Sequence, residues 1–93
     1  MALQLSGQKT VAAAGTAVQL HDTDYAGPVL IKALDTNTDI VAVGNDGTND
    51  VTVSNGFRLE PGDYLLLEVG SLTRLWLDSV VNGEGVSWHA LNP

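Results

Sequence analysis

The sequence predicts an all-β single domain, a jelly-roll-like β-sandwich of about eight short antiparallel strands. Three observations carry this reading. Apolar and polar residues alternate in short runs, turn signals interrupt them about every 8–12 residues, and no segment keeps a helical period. Residues 1–7, MALQLSG, show no repeated period and read as an N-terminal arm ordered on a partner, or as a short edge strand. Residues 8–93 then form the β-sandwich domain.

Gln8 to Ala14 and Thr16 to Leu20 read as two short strands around the Gly15 turn. The run Ala12–Ala14 favours helix by propensity, but it is too short to nucleate one. His21 to Pro28 is a polar loop closed by Gly27-Pro28, a strong breaker. In the next strand Val29, Ile31 and Ala33 share one face, and Leu30, Lys32 and Leu34 the other. Asp35 to Asp39 is a turn, Ile40 to Val43 a strand, and residues 45–50 an exposed loop tip. Val51 to Val53 reads as a short strand piece.

Asn55 to Val69 is the stretch around which the chain is organised, read as strand, tight turn and strand. Pro61 presets φ and Gly62 tolerates positive φ, the pair a tight turn requires. Tyr64 to Val69 has few polar residues and is expected to be a central strand. Leu72 to Asp78 is read as a strand with Leu75 and Leu77 on one face and Trp76 on the other. Asn82-Gly83 marks a hairpin-type loop, and Val86 to Leu91 is the last strand, with Val86, Trp88 and Ala90 together.

Several strands carry large apolar residues on both faces. Leu30 and Leu34 flank Lys32, Leu66 lies opposite Leu65 and Leu67, and Trp76 opposite Leu75 and Leu77. A sandwich strand needs only one apolar face, so the second face points to another burial surface, expected to be an oligomer interface. Composition agrees. The chain has 93 residues, of which 44% are hydrophobic and only 16% charged. A domain this short buries a little over ~60% of its unfolded surface, and association is a common supplement.

Net charge is −7, and Lys9, Lys32, Arg58 and Arg74 are scattered. No basic stripe tracks a phosphate backbone, so no nucleic-acid partner is expected, and an anionic membrane would repel the chain. No apolar run reaches the length of a membrane span, and the N-terminus has no basic, apolar secretory pattern. Cysteine is absent, which excludes disulfides and thiolate metal sites.

Chemistry-bearing patterns are weak. Asp35, Asn37 and Asp39 match the first ligand positions of a calcium loop, with Asp46 eleven residues after Asp35. Ile40 occupies the position of the sharp-turn glycine, and the last ligand is Asp rather than Glu, so no metal site is expected. Asp46, Asn49 and Asp50 in the loop tip form a second weak candidate. His21 beside Asp22 and Asp24 reads as an exposed loop histidine, and His89 as a surface residue; two histidines are few for a metalloenzyme. No nucleophile elbow is present, so no catalytic residue or cofactor is assigned. Tyr25, Tyr64, Trp76 and Trp88 would bind a sugar if stacked on one face, but read more simply as core and interface residues.

The order of turn signals carries a family resemblance. Val43-Gly44, Asn55-Gly56-Phe57, Leu59-Glu60-Pro61-Gly62, Leu72 to Asp78 and Gly83-Glu84-Gly85-Val86-Ser87-Trp88 follow one another as in small virion proteins of tailed bacteriophages, which the chain resembles over residues 8–91. The resemblance implies a capsid decoration, or cement, protein. Such a protein is a β-sandwich made in the host cytoplasm that binds the head surface as a homotrimer and clamps neighbouring copies of the major capsid protein. It implies no catalytic residue. Leu30, Leu34, Leu66 and Trp76 are the expected oligomer interface. Leu3, Leu5, Asp22, Asp24, Asp46 and Asp50 are the expected capsid contacts. A tail, baseplate or head-fibre module that binds host glycan or another virion protein is the alternative. A small hydrolase or lyase using acids and His21 ranks behind both.

Overall fold

The computed structural model describes residues 5–45, 47–48 and 50–91. Eight strands form: β1 (Ser6–Val11), β2 (Val18–Gln19), β3 (Gly27–Ala33), β4 (Val41–Gly44), β5 (Phe57–Leu59), β6 (Tyr64–Val69), β7 (Trp76–Ser79) and β8 (Glu84–Ala90). They make two four-stranded sheets, ordered β1-β8-β3-β6 and β2-β7-β4-β5, and every pairing is antiparallel. The ribbon logic is simple. β4 pairs β5, β3 pairs β6, β2 pairs β7 and β1 pairs β8, so the chain is one long hairpin wound up. This is the strand order of a jelly roll, an eight-stranded double-sheet architecture. Every connection except β4–β5 passes from one sheet to the other.

Alternation produces the core. Val29, Ile31 and Ala33 of β3 point inward beside Val86, Trp88 and Ala90 of β8, which are their cross-strand partners. Val41 and Val43 of β4, Leu77 of β7 and Leu59 of β5 face them from the other sheet, and all are buried. Each strand thus buries the face that its period of two defines.

Several local expectations are corrected. Tyr64 to Val69 is an edge strand, not a central one, because among the described residues only β3 pairs it. Asn55 to Val69 is not a hairpin: β5 joins β4 in one sheet and β6 joins β3 in the other. The turn chemistry is as expected, with Gly62 at φ 85° and the Asp63 N–H donating to Glu60 O at 2.9 Å. The same change of sheet applies at Asn82-Gly83, where Gly83 takes φ 83° but the turn leads from β7 into the other sheet.

Val51 to Val53 makes no strand. Thr52 O accepts N–H bonds from Asn55 and Gly56 in a turn, which lays Val51 over Ala42 on the outer face of β4; both are buried. Leu72 to Asp78 is not continuous strand. Leu72–Arg74 is a 3₁₀ turn whose Ser71 hydroxyl accepts the Thr73 N–H, and β7 starts only at Trp76. β1 begins at Ser6, inside the segment read as an arm, while Ala12 to Ala14 lie beyond its end.

Gly85 of β8 holds the sheet together. A side chain there would collide with the Lys9 carbonyl of β1. The buried Asn37 amide donates to Gly85 O at 2.8 Å and accepts the Gly85 N–H at 3.2 Å. We expect Asn37→Ala to leave that N–H unpaired and to lower stability by about 2 kcal/mol. Urea unfolding should show a lower midpoint with unchanged slope. An unshifted midpoint would remove the clamp from the stability argument.

Candidate functional site

The surfaces that offer interaction are the outer face of the β1-β8-β3-β6 sheet, its open β6 edge, and one cleft. On the outer face, cross-strand register makes rows. One row runs Ser6, His89, Leu30, Leu66; the next runs Gln8, Ser87, Lys32, Tyr64; Pro28 and Glu68 begin a third. Leu30 is half-buried between its neighbours, whereas Leu66 is 60% and Tyr64 73% exposed. Leu34 follows β3, half-buried, with its N–H on Gly85 O at 3.1 Å. Phe57 of β5, the edge strand of the other sheet, is also exposed. The apolar exposure of both sheets therefore concentrates on their β5 and β6 strands.

Trp76 does not join this group. It lies on β7 in the other sheet, between Gln19 of β2 and Gly44 of β4, and is half-buried. Its indole Nε1 is buried without a hydrogen-bond partner among the described residues. Leu30, Leu34 and Leu66 thus belong to one side of the sandwich and Trp76 to the opposite one. Alternation places a residue in or out but does not say in which sheet its strand lies.

The expected capsid contacts divide in the same way. Asp22 and Asp24 are exposed on the β2–β3 connection, and Asp50 is exposed on the β4–β5 connection, its carboxylate accepting the Val51 N–H at 2.8 Å. The 70–75 connection lies between these loops. Leu72 N–H bonds Tyr25 O at 3.1 Å, and the Asn45 amide bonds Arg74 O at 2.7 Å. Both acidic loops therefore share one end of the sandwich. Leu5 packs on the core, and its carbonyl accepts the Ala90 N–H at 2.8 Å. Leu3 and Asp46 lie outside the described residues.

A cleft of about 400 Å³ opens between the β1 and β2 edges, lined by Gln8, Lys9, Gln19, Leu20, His21 and Asp22. His21 sits against the Trp88 ring, centroids 5.1 Å apart and tilted by 58°. Its Nδ1 accepts the Thr23 N–H at 3.1 Å and lies 3.6 Å from the Asp22 carboxylate. Amides, an ammonium group and a carboxylate around one wall suit hydroxyl-bearing ligands. No nucleophile is placed beside His21 by these contacts.

The calcium-like residues do not converge. Asn37 is committed to Gly85, Asp39 accepts the Ile40 N–H at 2.7 Å, and Asp35 lies 3.4 Å from Lys32. Among the described residues, no group of three acids or histidines is placed to hold a metal ion. Sequence reasoning missed two structural acids. Asp78, buried on the outer face of β7, accepts N–H bonds from Gly15 at 2.9 Å and Ser79 at 2.8 Å. Glu84 accepts from Thr38 N–H and hydroxyl at 2.7 and 2.8 Å. The only signal for either is its place in or beside a strand, where an acid needs a partner.

Removing the ring contact tests the packing of the cleft wall. His21→Ala should cost about 1 kcal/mol, as aromatic pairs do, and should shift the emission of one of the two tryptophans. Unchanged emission would mean that His21 does not pack on Trp88 in solution.

Compared with known proteins, the chain matches no family model, no curated protein and no solved structure.

Proposed function

We propose that this chain is a structural virion protein of a tailed bacteriophage, a capsid decoration protein that sits on the head surface as a homotrimer and bridges neighbouring major capsid subunits. The observation that carries the reading is the apolar exposure at the β5 and β6 strands, where Leu66 is exposed beside the half-buried Leu30, Tyr64 is exposed on the same strand, and Phe57 is exposed on the edge of the other sheet. Such patches mark contact surfaces. The jelly-roll order adds support by analogy, since this architecture recurs in capsid and lectin domains, although fold alone does not carry function. The spacing of turn signals over residues 8–91 supplies the phage context.

A three-fold ring is heterologous: each subunit brings two different surfaces to it. Leu30, Leu34 and Leu66 on one side and Trp76 on the other are two such surfaces. The end that carries Asp22, Asp24 and Asp50 is available for capsid contact, with a net charge of −7 helping solubility before assembly on the head. The mechanism is mechanical. Weak contacts repeated by symmetry hold by avidity and resist outward pressure on the shell.

Light scattering should give the mass of three chains, and the protein should co-sediment with capsids of its phage. Trp76→Ala should reduce the mass while the far-UV spectrum stays β-like. A wild-type monomer that ignores capsids would overturn the proposal. The cleft at Gln8, Gln19 and Asp22 favours a second reading, a fibre or baseplate module that binds host glycan. Glycan-array binding lost in Gln19→Ala, with no capsid binding, would select it.

A further inference from the structure

Of the four sheet edges, β6 is built differently. β2 has two residues and β5 three, too short to template a partner. β1 has six, but Lys9 pairs with Val86 and so points a charge toward the inner face. An inward-pointing charge is a known way to blunt an edge. β6 also has six residues, Tyr64-Leu65-Leu66-Leu67-Glu68-Val69, with no lysine, no proline and an unbroken register against β3.

The polarity of its free groups follows from one bond. Ala33 N–H donates to Asp63 O at 2.8 Å, which marks a hydrogen-bonded pair. Counting along the register, Leu65 and Leu67 turn their backbone groups toward β3. The N–H and C=O groups of Tyr64, Leu66 and Glu68 therefore point to the open edge.

We infer that β6 is a self-complementary edge that pairs with β6 of a second copy of this chain, antiparallel and centred on Leu66. The two-fold sets Leu66 against the second copy's Leu66, and Tyr64 against the second copy's Glu68. All three open residues then exchange their backbone bonds, and the phenol meets a carboxylate. Because Leu30 already lies beside Leu66 and Lys32 beside Tyr64, the joined sheet carries an unbroken row of four leucines. It also carries, on each side, a row in which the neutral Tyr64 lies between the cationic Lys32 and the second copy's anionic Glu68. A register centred on Leu67 would put leucine against Glu68. One centred on Leu65 would leave Glu68 facing the Pro61-Gly62 turn. Shifting by a single residue would place outer side chains against inner ones. The contact uses the strand edge and adds a two-fold to whatever ring the chain forms.

The chain has no cysteine, so single thiols report geometry cleanly. Residues facing each other in a bonded pair have Cα atoms about 5.5 Å apart, within disulfide reach. Under mild oxidation Leu66→Cys should yield a covalent dimer. Tyr64→Cys and Glu68→Cys alone should do so at least about tenfold more slowly, because each is displaced by four residues, roughly 13 Å, from its own copy. The two combined should cross-link readily. In the unmodified protein, amide exchange at Tyr64, Leu66 and Glu68 should slow as concentration rises. Equal cross-linking of all variants, or concentration-independent exchange at those amides, would overturn the pairing. Loss of a trimer with this pattern intact would overturn the ring and leave the edge contact standing.

Discussion

The fold depends on how its last strand is held inside the first sheet. β8 must enter between β1 and β3, strands laid down more than fifty residues earlier. Gly85 lets it approach, since any side chain would strike the Lys9 carbonyl. Asn37 then fixes it with two bonds to one peptide unit, and Glu84 caps the Thr38 N–H and hydroxyl next door. Residues 37–38 and 84–85 are thus one lock between the β3–β4 turn and the start of β8. Non-local pairing is entropically slow to form, and a buried, fully paired amide is a strong way to hold it once formed.

A wound ribbon closes its centre but leaves four edges, and the chain treats them unequally. The Trp88 side carries Lys9, His21 and the polar cleft. The opposite side carries Phe57, Tyr64 and Leu66 in the open. The core between them is apolar, and Tyr64, Leu66 and Phe57 lie outside it, so their exposure is not a requirement of folding. An open strand edge beside an exposed leucine is a liability for a solitary protein, and its retention on one side only is what gives the molecule a direction for assembly.

Strand number, the inward faces of β3 and β8, and the positive φ of Gly62 and Gly83 were all legible in the sequence, because alternation and turn chemistry are local. Sheet membership was not, because it is decided by which distant strand a turn delivers the chain to. That is why a convincing hairpin at Pro61-Gly62 turned out to join two sheets, and why Trp76 fell on the side away from Leu66. The three leucines of Tyr64–Val69 suggested burial on both faces. Only Leu65 and Leu67 face the core, and Leu66 stands exposed on the second face, which suits an edge strand and not a central one. Asp78 escaped notice because its partner, the Gly15 N–H, is 63 residues away.

The energetics of the open edge argue for function on a scaffold. Six backbone bonds across a two-fold, at about 1 kcal/mol net each, give roughly 6 kcal/mol. Burial of the Leu66 pair adds about 1.5–3 kcal/mol for each side chain fully covered. Association costs about 4–15 kcal/mol in lost freedom at the standard state. The balance is close to even, so free chains would pair only weakly. Tethering reverses this. When copies are already held side by side, most of the association cost has been met by the tether, and a contact too weak to persist in solution becomes a persistent one. A blunted edge would gain nothing from being held beside its neighbour. An edge left unblunted, with outward residues that match their own two-fold image, gains most when copies are crowded on one surface.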